Sequence, residues 1–196
     1  SKSILAQFLT RRSILFFCII FGIVFIEQNF NSWLPSFYKK HLNVSTFSAL
    51  QASAFLALFS YIGRIITSQI IHKFSLAKYF LTCLVLIFSM LIIAHLLLTL
   101  NKSQIVLFLF PLIGLFLAPL YPVVSSKMIS GIKKDDINIF TSLMVIFSSL
   151  GSSVGSISIS FLFQNNLGTY YAVFISIAVL ILFIISFIYF KSFVSK

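Results

Sequence analysis

The chain has 196 residues, 60% of them apolar, 17% aromatic and only 9% charged. A water-soluble domain carries about a quarter charged residues, so this composition excludes one and makes the bilayer the solvent. Fourteen Lys and Arg against three acids give a net charge of +11, but the cations stand singly or in pairs between apolar runs. They form no basic face, which argues against a nucleic-acid partner and reads as loop charge that orients membrane helices.

A spanning helix needs roughly 20 mostly apolar residues, and six stretches qualify: 13–36, 48–71, 76–100, 104–130, 138–163 and 169–191. The predicted fold is therefore an all-α, polytopic six-helix bundle over 13–191, with the lipid bilayer as its first partner. Residues 1–12 place Ile4, Leu5, Phe8 and Leu9 around Lys2, Arg11 and Arg12, the pattern of an amphipathic lead-in on the inner surface or of the end of a linker. Residues 192–196 form a short tail. Opening on Ser1 without Met, the chain reads as a piece of a longer protein.

With the N-terminus inside, the cytoplasmic side holds eleven cations, Arg64 among them, and the outer side only Lys39, Lys40 and Lys102. The positive-inside rule then puts both termini in the cytoplasm of a multi-pass cell (inner) membrane protein.

The first span carries Glu27-Gln28-Asn29-Phe30-Asn31-Ser32-Trp33-Leu34-Pro35, the densest polar run in any helix, and Glu27 is the one acid away from a loop. At 100° per residue Glu27 and Asn31 share a face with Gln28 beside it, while Asn29 and Trp33 point to roughly the opposite side. An ionisable group at membrane depth is a functional-site candidate. Two readings stay open: a solute-binding face, or interhelical hydrogen-bond glue at the outer end with Trp33 as an interfacial anchor.

The second span has a stripe of small residues, Ala49, Ser53, Ala57 and Ser60, ending in Gly63-Arg64. In the third, His95 reads as an interfacial polar tip, and Cys83, like Cys18 in the first, as lipid-depth packing without the CxxC spacing of a metal or redox site. The fourth is interrupted by Pro111, Gly114, Pro119 and Pro122, with Tyr121 beside the last. Each internal proline frees a backbone carbonyl that a neighbour or a cavity must satisfy. The fifth is rich in serine and carries Gly151 and Gly155 as a GxxxG, a close-packing signal predicted to tolerate Ala but not Leu or Phe. Irregular first and fourth spans are corresponding positions in a 3+3 inverted repeat, the sequence pointer to a transporter's substrate site. No letter-for-letter repeat supports that symmetry.

The run from Glu27 through Trp33-Leu-Pro-Ser-Phe-Tyr, Ile62-Gly63-Arg64 with Ser68 and Lys73-Phe74, Leu120-Tyr121-Pro122, and the glycine-serine fifth span resemble the C-terminal six helices of major facilitator superfamily transporters, most closely the fucose permease branch of sugar-proton symporters. The resemblance implies one half of an alternating-access carrier that needs an N-terminal six-helix half as partner and moves a small polar solute, a sugar, with protons. It implies a substrate face of Glu27, Gln28, Asn29, Asn31, Trp33 and Tyr121. Gly63, Arg64, Pro119, Pro122, Gly151 and Gly155 take gating and structural roles, Arg64 at the cytoplasmic gate, although the gate motif's acidic partner is missing. Proton-coupling carboxylates of that branch belong to the other half. Other solutes (drug, metabolite or amino acid) and a scaffold without transport remain alternatives. No cofactor, metal or catalytic residue is expected: His95 is the one histidine within a span, and no serine-base arrangement of an intramembrane protease accompanies it.

Overall fold

A computed structural model describes residues 10–193. Among the described residues seven α-helices make six crossings: α1 (Arg11–His41), α2 (Thr46–Ile70), α3 (Leu76–Thr99), α4 (Ser103–Leu117) followed by α5 (Leu120–Ile129), α6 (Ile137–Gln164) and α7 (Tyr171–Phe193). Six helical segments, with α4 and α5 taken together, are long and apolar enough to span a membrane. Arg11 and Arg12 are already helical; the rest of the expected lead-in, residues 1–9, and residues 194–196 of the expected tail lie outside the described residues.

The ends of the helices follow from local chemistry. Thr10, Ser45 and Ser75 cap α1, α2 and α3, each side-chain oxygen accepting from the backbone N–H three residues on. The turns after α1, α3 and α6, all at the end of the bundle where α1 stops, each place an asparagine in the left-handed region, Asn43, Asn101 and Asn166. Asparagine reaches that region more readily than most residues. After α3, Lys102 N–H donates to the Leu97 carbonyl and Asn101 N–H to that of Leu98, the paired bonds that close a helix C-terminus.

α1 is the central helix. Phe16, Ile19, Ile20, Ile23, Ile26, Phe30, Leu34 and Phe37 are buried along its whole length, against α6, α7 and α2. Pro35 does not end it; the helix runs on to His41. α2 packs chiefly on α4, and α3 on α7 and α4. Exchanging the first three spans for the last three maps the α1–α6 pair onto α4–α2 and the α3–α4 pair onto α7–α1. Two of the pairings thus follow a 3+3 exchange, while the α1–α2 packing has no comparable counterpart between the fourth span and α6.

Glycines mark the two equivalent crossings. A Cβ on Gly63 of α2 would fall 2.8 Å from the Leu115 carbonyl carbon of α4, and one on Gly151 of α6 would fall 2.5 Å from the Phe21 carbonyl oxygen of α1. Both backbones approach so closely that no side chain fits, which corrects the expectation that Gly151 tolerates Ala. Gly155 is less tight, its Cβ position being 3.0 Å from the Phe25 carbonyl oxygen.

The fourth span shows where three proline-freed carbonyls go. Pro111 lacks the N–H that would serve Leu107, and the buried Tyr38 hydroxyl donates to that carbonyl at 2.8 Å. Pro119 releases Leu115, whose carbonyl lies over Gly63. Pro122 releases Ala118, which accepts from Arg64 Nε at 3.4 Å. With Ala118 and Pro119 outside both helices, the span breaks between α4 and α5.

Candidate functional site

Near the middle of α1, Glu27 and Asn31 face a cavity of about 270 Å³ completed by Ser60, Tyr61 and Arg64 of α2 and by Gly114 and Ala118 at the break of the fourth span. The shared face of Glu27 and Asn31 is the one their helical spacing predicts. Glu27 is half-buried, and the field of the Arg64 guanidinium reaches its carboxylate. Arg64 itself lies within α2 and reaches inward to the Ala118 carbonyl at the break. The cation count and the motif resemblance place it at the cytoplasmic end of the second span as a gate residue; in the structure it also lines a wall of this cavity. The site thus holds one carboxylate, one guanidinium, one amide and two hydroxyls. It can receive a small solute through several directed hydrogen bonds and two opposite charges.

The other expected binding residues have different partners. Gln28 Nε2 donates to Ser32 Oγ at 2.6 Å and to Ser156 Oγ of α6 at 3.2 Å, tying α1 to α6. Asn29 is fully buried on another face of α1 and donates to the Phe25 carbonyl at 2.7 Å, while its Oδ1 has no partner among the described residues. Its backbone carbonyl accepts from the Tyr171 hydroxyl at 2.7 Å. Trp33 stacks on Phe163 of α6, ring centres 5.5 Å apart and 13° from parallel, so its ring is engaged in packing. Tyr121 and Ser148 hydroxyls meet at 3.2 Å and link α5 to α6. Pro119 and Pro122 act through the break and the freed Ala118 carbonyl, Gly63, Gly151 and Gly155 through close helix contact.

Sequence reasoning missed Tyr61 and Tyr38. Tyr61 stands three positions before Arg64, on the same helical face, and 65% of its surface is exposed, so its spacing from Arg64 was the available signal. Tyr38 lies beyond the polar run on a helix end expected to be solvated.

Six apolar crossings and a polar mid-helix cavity beside a broken helix suit a polytopic membrane carrier. The chain belongs to the Major Facilitator Superfamily, whose family model matches residues 1–156. It is therefore a membrane transport protein. The match is to the superfamily as a whole and does not single out the fucose permease branch. No curated protein and no solved structure matches the chain.

Proposed function

We propose that this chain is the six-helix half of a secondary carrier for a small polar solute, and that Glu27, Asn31, Tyr61 and Arg64 form its half of the binding site. The observation that carries the reading is the mid-helix cavity that gathers those four side chains beside the break in the fourth span. In this arrangement an N-terminal half supplies the opposite wall, both termini face the cytoplasm, and access alternates as the halves rock. Motif resemblance points to a sugar moved with protons: carboxylate and amide bond its hydroxyls, and the exposed Tyr61 ring offers a face to its apolar side. Gln28, Asn29, Trp33 and Tyr121 then support the site by holding α1, α5 and α6 rather than by touching the solute.

A second reading rests on a separate observation. Glu27 and Arg64 present opposite charges to one cavity, an arrangement suited to the ammonium and carboxylate of an amino acid.

Uptake of labelled hexoses and amino acids by cells expressing the complete open reading frame that contains this chain decides between the two. Asn31→Ala should raise KM for the transported class whichever it is. Arg64→Gln should abolish amino-acid uptake but leave a neutral sugar partly transported. Wild-type uptake in both variants would remove the cavity from the transport path.

A further inference from the structure

Below the close crossing of Gly63 and Leu115 the fourth span breaks, and a second space opens between α2 and α5 at the end of the bundle where α1 begins. Its volume is about 770 Å³, nearly three times that of the Glu27 cavity at about 270 Å³. The two differ in charge as well as size. No acidic side chain lines the larger one, whereas Arg64, His72 and Lys127 all do, together with Ser126.

These groups have hydrogen-bonding capacity left over. Arg64 uses Nε on the Ala118 carbonyl, and its terminal amines have no hydrogen-bond partner among the described residues, although its charge also acts on Glu27. The His72 ring, the Lys127 ammonium and the Ser126 hydroxyl likewise have none, and all three residues are exposed. Ser75 and Leu76, at the N-terminus of the 24-residue helix α3, border the same space and add the positive end of its dipole. A guanidinium that presents paired N–H groups, an ammonium that acts as a point charge and a free hydroxyl are complementary to the oxygens of a tetrahedral phosphate.

We infer that this inner cavity is a binding site for a phosphate group, formed by His72, Lys127 and Ser126 together with Arg64, the one of these residues that also borders the solute cavity. The phosphate is that of a lipid headgroup or of a soluble phosphomonoester, since both offer the same dianionic or monoanionic oxygens to the same donors; basic pockets between spans on the cytoplasmic side suit either. Pro119 and Pro122, at the break between α4 and α5, themselves line this space.

The full chain serves for the test. In detergent micelles it is titrated with glycerol phosphate at constant ionic strength, with the phosphorus linewidth as readout. In a parallel arm it is released from nanodiscs of phosphatidylcholine with or without phosphatidic acid and weighed intact. Saturable binding in the first arm identifies a soluble ligand, and retention of phosphatidic acid in the second a lipid; either supports the site. Lys127→Gln and His72→Gln should each weaken binding about tenfold. Lys133→Gln removes a charge from the same end but outside the cavity and should change it less than twofold. Circular dichroism confirms folding, and His72→Gln provides the comparison should Lys127→Gln not fold. Absence of binding in both arms overturns the inference, and so does an equal loss in Lys127→Gln and Lys133→Gln, which would reduce the effect to net charge.

Discussion

Tyr38→Phe removes one oxygen and little else, and its cost can be worked from the surroundings. Tyr38 is 1% exposed, and its hydroxyl lies 2.8 Å from the Leu107 carbonyl and 3.3 Å from that of Val106. Without it, the Leu107 carbonyl has neither the hydroxyl nor the helical N–H that Pro111 lacks, and an orphaned buried carbonyl costs about 1–3 kcal/mol. Interhelical hydrogen bonds in membranes average only about 0.6 kcal/mol because the separated helices find other partners. Proline denies Leu107 that alternative in both states, so a penalty of about 1.5 kcal/mol is expected. Pro111→Ala restores an N–H four residues on, and in that background Tyr38→Phe should cost less than about 0.5 kcal/mol, a coupling of about 1 kcal/mol. Unfolding of the four proteins in mixed micelles, titrated with dodecyl sulfate, can be followed through Trp33, the single tryptophan. Equal penalties in both proline backgrounds would refute the assignment of the hydroxyl to the freed carbonyl.

Gly63→Ala and Gly151→Ala should both lower folded yield several-fold, measured by fluorescence-detected size exclusion. Gly131→Ala should not, because a Cβ there meets only ordinary contact at 3.6 Å. A cysteine placed at Lys102 should react with an impermeant maleimide from outside the cell; labelling only after permeabilisation would reverse the orientation taken from the cation count. For Glu27, Gln keeps size and hydrogen bonding and should reduce uptake less than Ala at every pH if the carboxylate binds solute. Loss of pH-driven accumulation with retained exchange in Glu27→Gln would instead make it a coupling group.

What the sequence disclosed and what it hid have a common physical basis. Apolar runs of spanning length and their polar interruptions are local properties, so the six crossings could be read directly, whereas the left-handed asparagines at residues 43, 101 and 166 emerged from the structure. The shared face of Glu27 and Asn31 followed from helical geometry alone, and so did the separation of Asn29 from them. Prolines announced the irregular fourth span for the same reason. Partners across the bundle were not legible, because letters along one helix do not say which neighbour faces them. Trp33 therefore looked like an anchor or a sugar platform although Phe163 covers its ring. Arg64 read as a cation of the cytoplasmic side and gate because it stands late in its span. Its long side chain leans inward to a carbonyl that only the proline at 122 made available.

The carbonyls freed by Pro111 and Pro122 have consequences for how this sequence can drift. Each proline is served by a residue on a different helix: Tyr38 across from the first, Arg64 across from the second. Neither member of a pair can be exchanged freely while the other stays, since losing the donor strands a carbonyl and losing the proline leaves the donor without its acceptor. Substitution at 38 should accordingly travel with substitution at 111, and substitution at 64 with 122, across gaps of 73 and 58 positions. Among descendants of this gene, the positions that change in step would trace the architecture of the fourth span.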